Sequence, residues 1–469
     1  MPTAALQIKV SPVQFSRLAA NRTAWLEALS DFLAFPSISA IPSHRPDMAV
    51  AAEWLANHLA RIGLRHAQVL PGIQGGCPSV YADWLLSPDK PTLLIYGHYD
   101  VQPVDPVSAW HTPPFKAMLL GDSLFARGAS DDKGQLFIHL NAIESYLKTC
   151  GRLPINIKVW IEGEEEINSP TVSAFLMQEY ERLKADAVLI SDTEMINADC
   201  PSIIYGLRGN LTAELEVFGP GRDLHSGRYG GAVYNPLQAL CEMLSSMHDR
   251  NGRVAIEGFY DRVNPALNSA VSFQGCKCCQ LKERQILEAL QVDTPWGEPG
   301  FSLQERITSR PALTINGLQG GYSGPGAKAV IPSRGAAKFS FRLVPEQSPR
   351  HVAMLLKRHL ARCTPPGVKT RLTIGKGVSP VLLSLDHPVM QAVAGAFRKT
   401  WGKAPVLARS GGSLPVVEFF QKQFQVPVIL MGFGLPSDAI HAPNEKISLS
   451  QFFRGIETVI YFLAEYAKL

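Results

Sequence analysis

The sequence has 469 residues, of which 46% are hydrophobic and 18% charged, and its formal net charge is +4. This composition predicts a globular protein of about two to three domains that can bury a large core. The small net charge and the lack of basic runs argue against nucleic acid or an anionic membrane surface as a partner.

The chain also lacks the usual signals of a membrane or secreted protein. No apolar run reaches the roughly 18 residues that a membrane-spanning helix needs. The first residues, MPTAALQIKVSP, do not pair a basic stretch with an apolar signal core. Five scattered cysteines (Cys77, Cys150, Cys200, Cys241 and Cys363) are expected to be reduced thiols. We therefore expect a cytoplasmic protein without a membrane partner.

The segment GCKCCQ places Cys276, Cys278 and Cys279 close together. Such a cluster suits a metal, yet no second Cys/His pair follows at zinc-site spacing. The other interpretation is a loop or helix start with free thiols, and the missing second pair favours it.

The first half of the chain has the pattern of a parallel α/β sheet. A helix is predicted from Pro12, with Ser11 as its cap, to the proline at position 36. Short apolar runs (TLLIY, INIKVWI and AVLIS) then alternate with helical segments over residues 133–148 and 172–183. This alternation predicts a largely parallel sheet with helices on both faces.

The pattern changes near Gly209. The segments LTAELEVFG and AAKFSFRLVP alternate with a period of two, as half-buried antiparallel strands do. With helices predicted over 235–248 and 349–361, they indicate an inserted α+β domain spanning 210–384. Helices and an apolar strand, VPVIL, follow it, so we expect residues 1–209 and 385–469 to form one discontinuous catalytic domain.

Candidate chemical residues follow the predicted strands. His98 follows TLLIY, a glutamate cluster follows INIKVWI, Asp192 follows AVLIS, and His441 comes after VPVIL. Asp131 lies in a glycine-flanked loop before a helix. Strand carboxyl ends meet at one edge of an open sheet, where ligands bind. Taken singly, each residue has a structural explanation, such as a loop histidine or a helix cap.

Taken together, these residues point to metal. Two imidazoles and three carboxylates suit two zinc-like or manganese-like ions that share one bridging carboxylate. Divalent cations would also relieve the mutual repulsion of carboxylates packed this closely.

Seven motifs carry a resemblance to a known family: GHYDVQP, RGASDDKGQ, EGEEEINS, LISD, YGLRGN, DLHSGRYGG and HAPNEK. They resemble the motifs of the M20 family of dinuclear metallopeptidases, in particular its dipeptidase branch with cytosolic non-specific dipeptidase and carnosinase. The resemblance extends from about residue 30 to the end of the sequence. It implies hydrolysis of dipeptides or short peptides, two divalent ions per subunit (zinc or manganese), and a homodimer.

The resemblance also implies a set of metal ligands. His98 and Asp192 would hold one ion, His441 and Glu166 the other, and Asp131 would bridge them. A cis peptide bond is expected after Asp131.

Among the glutamates, the resemblance marks Glu165 as the general base, which must stay off the metal to keep a free lone pair. Asp100 lies two residues after His98, on the same side of an extended chain, and would fix the tautomer of its imidazole; its alternative is a turn residue. Glu162 is expected to orient its neighbours, and Glu164 to face solvent.

Three further residues are candidates for substrate contact. By resemblance, His225 would reach the oxyanion from the inserted domain of a partner subunit, which makes that domain a lid and dimerisation domain. Arg342 is suited to bind a terminal carboxylate through two hydrogen bonds. Ser413 lies in a glycine-rich turn whose backbone N–H groups would contact the same carboxylate. The alternatives are a loop histidine and a solvated arginine.

Two departures from the dipeptidase pattern leave the preferred substrate open. Ile167 and Asn168 stand where Ser and Gly are frequent, and Ala329 stands where Thr is frequent. Two other functions remain possible: a deacylase of N-acyl amino acids, and a non-catalytic protein that binds metal or ligand.

Overall fold

A computed structural model describes residues 12–85, 89–264 and 283–469 of the protein. Ser11 and the Cys276, Cys278 and Cys279 cluster, for which we made predictions, lie outside the described residues.

The α-helices are numbered α1 to α13 in chain order. They span Pro12–Leu33, Arg45–Arg61, Lys133–Cys150, Val172–Gln178, Tyr180–Leu183, Ser226–Tyr229, Pro236–Ser245, Glu283–Ala289, Leu303–Thr308, Pro349–Cys363, Pro388–Trp401, Pro415–Phe419 and Leu449–Tyr466.

The β-strands are numbered β1 to β18 in the same way. They span Arg65–Leu70, Ser79–Trp84, Thr92–His98, Met118–Leu120, Ser123–Phe125, Asn156–Glu162, Ala187–Ile190, Ser202–Leu207, Gly209–Phe218, Leu224–His225, Ala312–Gly320, Val330–Ile331, Arg334–Leu343, Lys369–Ile374, Val381–Leu382, Val406–Ser410, Val428–Leu430 and Lys446–Ser448.

A nine-stranded sheet forms the centre of the region predicted to be the catalytic domain. Its order is β1-β2-β6-β3-β7-β17-β8-β15, with β16 also paired to β8. The pairs β6–β3, β3–β7 and β7–β17 are parallel, whereas β1, β2 and β15 are antiparallel to their neighbours. The predicted α/β class is confirmed, but the sheet is mixed rather than mostly parallel.

The central strands are buried on both faces, which explains their continuous apolar sequences. Leu93 and Ile95 of β3 pack into the core formed with α1, α2, α3, α11 and α13. Leu94 and Tyr96 of the same strand point to the opposite core, where they pack with residues of α4 and α12. The alternation of side chains along a strand thus places helices on both faces of the sheet.

A separate antiparallel sheet, ordered β11-β13-β9-β14, forms the inserted region. One face is covered by α7 and α10, and its core includes Phe339 and Phe341. The chain returns to the large sheet at Val381, which pairs with Leu207 of β8. That return lies three residues before the predicted boundary at 384, and the division into domains stays a prediction.

Some local predictions need correction. The helix predicted over 172–183 consists of two short helices, α4 and α5, that meet at Glu179. The expectation of reduced thiols is wrong for Cys200, which is disulfide-bonded, whereas Cys77, Cys241 and Cys363 are free. In the described parts of the chain, no helix combines the length and apolar character needed to cross a bilayer.

The burial of β7 leads to a test of the core. Leu189 is fully buried in that strand, and Leu119 of β4 is 55% exposed. We expect Leu189→Ala to lower the free energy of unfolding by about 2–5 kcal/mol, because it leaves a cavity. Leu119→Ala is the matched control and should change it by less than about 0.5 kcal/mol. Urea unfolding followed by tryptophan fluorescence measures both, and equal losses would contradict the placement of β7.

Candidate active site

Neighbouring parallel strands bring the candidate residues to one edge of the large sheet. β3 ends at His98, β6 leads to a 3-10 turn over Glu165–Ile167, β7 leads to Asp192, and β17 precedes His441. Because β6, β3, β7 and β17 are adjacent and parallel, their carboxyl ends lie side by side. Gly97 is required here, since a Cβ at this position would lie 2.8 Å from Oδ2 of Asp132.

The carboxylate of Asp131 lies between the two histidines. Its Oδ1 is 3.1 Å from Nε2 of His98, and its Oδ2 is 2.8 Å from Nε2 of His441. The two oxygens of one side chain therefore face different imidazoles, as a bridging carboxylate requires. The peptide bond between Asp131 and Asp132 is cis, as expected.

Each histidine has a second carboxylate beside it. Nε2 of His98 is 3.7 Å from Oδ2 of Asp192, and Nε2 of His441 is 3.3 Å from Oε2 of Glu166. The expected pairs are thus brought together. Ligand atoms of His98, Glu165 and Asp192 lie within 4.8 Å of one another, and so do those of Asp131, Glu166 and His441. The ligand roles themselves stay predictions.

Asp100 is buried and contacts both halves of this arrangement. Its Oδ1 is 3.3 Å from Nδ1 of His98, which turns Nε2 of the imidazole toward Asp131. Its two oxygens also accept the backbone N–H groups of Glu165 and Glu166, at 3.2 and 3.0 Å. One carboxylate therefore orients a histidine and fixes the turn that carries two glutamates. The sequence predicted only the first of these contacts.

The other two glutamates of the cluster serve the scaffold. Glu164 is buried, contrary to the expectation that it faces solvent: it accepts the N–H of Cys77 at 2.7 Å and the hydroxyl of Thr171 at 2.5 Å. Glu162 accepts hydroxyl groups from Tyr96 at 2.5 Å and Ser169 at 3.0 Å. Both carboxylates tie the end of β6 to its surroundings.

The departure at Asn168 fits the backbone. This residue adopts a left-handed conformation, with φ 64° and ψ 35°. Glycine tolerates that region best, and asparagine is among the few other residues that enter it readily. The turn after Glu165 and Glu166 is therefore compatible with the asparagine found here.

Glu445 is a buried residue to which we had assigned no role. Its carboxylate accepts the backbone N–H groups of Gly128, Ser130 and Asp131 at 2.9–3.0 Å, and pairs with Nη1 of Arg127 at 2.7 Å. It thereby holds the loop that carries Asp131. The only sequence signal was its place four residues after the histidine in HAPNEK.

The electrostatics of the site favour bound cations. Burial, then the charge of Asp131, raises the pKa of Asp192 to about 7. Burial, then the charge of Asp192, raises the pKa of Glu165 well above its usual value. Hydrogen bonds to Asp131 and Glu166 raise the pKa of His441 to about 11. The carboxylates thus repel one another and recruit positive charge, which divalent ions would supply.

The donor set agrees with this electrostatic argument. Imidazole nitrogens and carboxylate oxygens are suitable ligands for zinc and for manganese. His98 with Asp192, His441 with Glu166, and Asp131 between the histidines fit a pair of ions. These residues would hold the metals of a dinuclear centre.

A cavity of about 460 Å³ opens onto both clusters. Its walls include Arg342, from β13 of the inserted sheet, and Ser413, so the cavity lies between the two sheets. Nη1 of Arg342 donates to Oγ of Ser413 at 3.3 Å, and Ser413 donates to the carbonyl of Arg208 at 2.5 Å.

His225 is not brought to this cavity. It is exposed, it caps α6 by accepting the N–H of Gly227 at 3.1 Å, and its strand pairs with β12 at Val330. Within the described chain it belongs to neither candidate metal cluster and is absent from the cavity wall.

Comparisons with known proteins match this architecture. The model of peptidase family M20/M25/M40 matches residues 94–465. The chain is 30% identical to the Cys-Gly metallodipeptidase of Candida albicans, over 97% of each protein. It superimposes on human carnosine dipeptidase 1 with a TM-score of 0.85 and 29% identity, covering 100% of both chains. An M20 metallo-carboxypeptidase from Sulfolobus solfataricus gives a TM-score of 0.84 at 32% identity, over 95% of this chain and 99% of that one.

The contacts of Glu445 lead to a test of the site. Glu445→Gln replaces one carboxylate oxygen, which accepts backbone N–H groups, by an amide nitrogen, which can only donate. The lost hydrogen bonds would loosen the loop that holds Asp131. We expect metal affinity to fall by about 10–100-fold, as for other partners that orient metal ligands. Competition with a chelator of known affinity measures it.

The control is Glu144→Gln, which alters a buried carboxylate bound to Nε1 of Trp25. It should leave metal affinity unchanged. Wild-type affinity in Glu445→Gln, with folding intact by circular dichroism, would contradict the role of Glu445.

Proposed function

This chain belongs to peptidase family M20/M25/M40, and from that premise we propose that it hydrolyses the peptide bond of dipeptides with a dinuclear metal centre. The observation that carries the proposal is the carboxylate of Asp131, whose two oxygens face His98 and His441. Each histidine also has its own second carboxylate. This arrangement supports two cations held side by side under one cavity.

The ligands proposed for the two ions are His98 with Asp192, His441 with Glu166, and Asp131 between them. When bound, such ions polarise the scissile carbonyl and acidify water beside it. Zinc and manganese both suit these donors. We propose one of the two as the natural metal.

Glu165 is the proposed general base. It lines the cavity beside both clusters, and Asp100 fixes its backbone. It is close enough to His98 and Asp192 to serve as a ligand too. We assign it the role of base because Asp192 and Asp131, the proposed ligands, already lie beside His98. Glu165 would take a proton from the attacking water and deliver it to the leaving amine.

Arg342 and Ser413 are proposed to bind the substrate's terminal carboxylate. Both line the cavity, and the Arg342–Ser413 hydrogen bond holds the guanidinium toward it. A planar guanidinium can grip a carboxylate with two hydrogen bonds. A dipeptide and an N-acyl amino acid both carry this group, so the contact alone does not choose between them.

We further propose a homodimer in which His225 acts in the partner's site. The support is its exposure on the inserted region and its position away from the cavity of its own chain. The edge strand β11 of the inserted sheet also exposes Ile315 and Leu318, which would suit pairing with a second copy.

A cytoplasmic location stays a prediction. The disulfide at Cys200 speaks against it, because disulfides are rare in that compartment.

A substrate screen tests the function directly. Dipeptides, longer peptides and N-acyl amino acids should be compared with enzyme loaded with Zn²⁺, Mn²⁺ or Co²⁺. We expect the highest kcat/KM for dipeptides and no turnover after chelation. Preference for N-acyl amino acids would favour a deacylase, and preference for longer peptides would favour a carboxypeptidase, as named for the Sulfolobus relative.

The base assignment is tested by Glu165→Gln. This change keeps the shape of the side chain but removes its proton acceptor, so kcat should fall by about 10²–10⁴-fold. Metal content, measured by elemental analysis, should stay at the wild-type value. Loss of one ion per subunit would instead identify Glu165 as a ligand.

Mixing inactive variants tests the shared site. His225→Ala and Glu165→Gln should each be inactive, yet refolded mixtures should regain activity, because mixed dimers contain one site with both wild-type groups. Native mass spectrometry shows whether mixed dimers form. Their formation without recovered activity would overturn the sharing of sites.

A further inference from the structure

Glu194 has a fixed backbone beside the candidate metal clusters. It lies two residues after Asp192 and forms a parallel bridge with Gly434. Its carbonyl accepts the hydroxyl of Ser202 at 3.3 Å, and the next N–H, of Met195, donates to Gly434 at 2.8 Å. These contacts hold the main chain in place. None of them involves the carboxylate.

The carboxylate of Glu194 belongs to the wall of the same cavity as the metal clusters. It is partly buried, and within the described ranges it has neither a hydrogen-bond partner nor an ion pair. Two other acids of the cavity do have partners: Asp192 lies beside His98, and Glu166 accepts from Gln102 at 2.8 Å. A partly desolvated charge without a partner is unfavourable.

The surroundings of Glu194 are acidic. The charges of Asp438 and Asp131 act on its carboxylate. Both are acids, and among the described residues the carboxylate of Glu194 forms no ion pair. A cation on a bound ligand would compensate its charge.

Arg342 carries the opposite charge in this cavity. Among the described residues of the cavity wall, Arg342 is the only arginine or lysine. It belongs to the inserted sheet, whereas Glu194 follows β7 of the large sheet. The two opposite charges therefore enter the cavity from different sheets, as a zwitterionic substrate would require.

We propose that Glu194 binds a cationic group on the N-terminal residue of the substrate and so selects peptides that carry one. This rests on the proposed function, in which Arg342 takes the other end of the peptide. The cation is either the α-ammonium group or a basic side chain. An N-acyl amino acid with a neutral acyl group carries neither, so its binding would leave the carboxylate of Glu194 buried without a partner.

The test compares substrates with and without each of the two candidate cations: Ala-Leu, Lys-Leu, N-acetyl-Ala-Leu and N-acetyl-Lys-Leu. The metal-loaded wild type is compared with Glu194→Gln and with Glu53→Gln, which removes a charge from an exposed position outside the cavity. If Glu194 binds the α-ammonium group, Glu194→Gln lowers kcat/KM for Ala-Leu and Lys-Leu by about 10–100-fold. If it binds the side chain, the two lysine substrates alone lose that factor.

A binding measurement keeps the test independent of turnover. Calorimetry with non-hydrolysable phosphinic analogues of Ala-Leu and Lys-Leu, each with and without an N-acetyl group, should reproduce the same pattern. Metal content should be equal in all three proteins. An equal loss of affinity for every analogue, or a loss of metal in Glu194→Gln, would assign Glu194 a structural or metal-related role and overturn the proposal.

The failure of this inference can be told apart from failure of the function. If the wild type cleaves Ala-Leu and Lys-Leu, and Glu194→Gln cleaves and binds both equally well, only the role of Glu194 is wrong. If the wild type acts on N-acyl amino acids, and binds neither the free-amino analogues better than their N-acetyl forms nor the lysine analogues better than the alanine ones, both proposals are wrong. If it cleaves nothing, the calorimetric comparison still decides the role of Glu194.

Discussion

The contact of one carboxylate, Asp131, with imidazoles from two distant segments organises the active-site region. His98 comes from the end of a central strand, and His441 from a loop 310 residues after Asp131. For both to meet one side chain, the loop that carries Asp131 must be held firmly. Glu445 provides that support by accepting the backbone N–H of Asp131, and Asp100 fixes the turn of Glu165 and Glu166 in the same way. The precision of the site therefore depends on buried acceptors that never touch a substrate.

The carboxylates at this edge of the sheet fall into two groups. Carboxylates with many donors, such as Asp100 and Glu445, are bound within the protein. Asp192 and Glu165, which line the cavity, repel one another and have raised pKa values. The first group makes the scaffold rigid, and the second makes the cavity attractive to cations. The glutamates that form one acidic stretch in the sequence therefore have two roles. Glu162 and Glu164 stabilise the structure, and Glu165 and Glu166 belong to the candidate active site.

The sequence predicts those parts that depend on local pattern. A polar residue directly after an apolar strand, as at His98 or Asp192, is visible without a structure, and parallel order then brings such residues together. The contacts of Glu164 and Glu445 are not visible, because their partners are donated by remote segments. The antiparallel outer strands of the large sheet were also missed, since a strand buried on both faces has the same apolar pattern in either direction.

The separation between Asp131 and its partners has a consequence for biosynthesis. Glu445 follows Asp131 by 314 residues, and synthesis proceeds at about 5–20 residues per second, so the ribosome needs on the order of 15–60 s to make the intervening chain. β3 precedes Asp131, and β6 and β7 are made early in this interval. Until its end, their acids lack both His441 and the carboxylate that fixes the loop. A growing chain therefore carries an incomplete metal centre for most of its synthesis, and full affinity for metal arises only after the inserted region has been made.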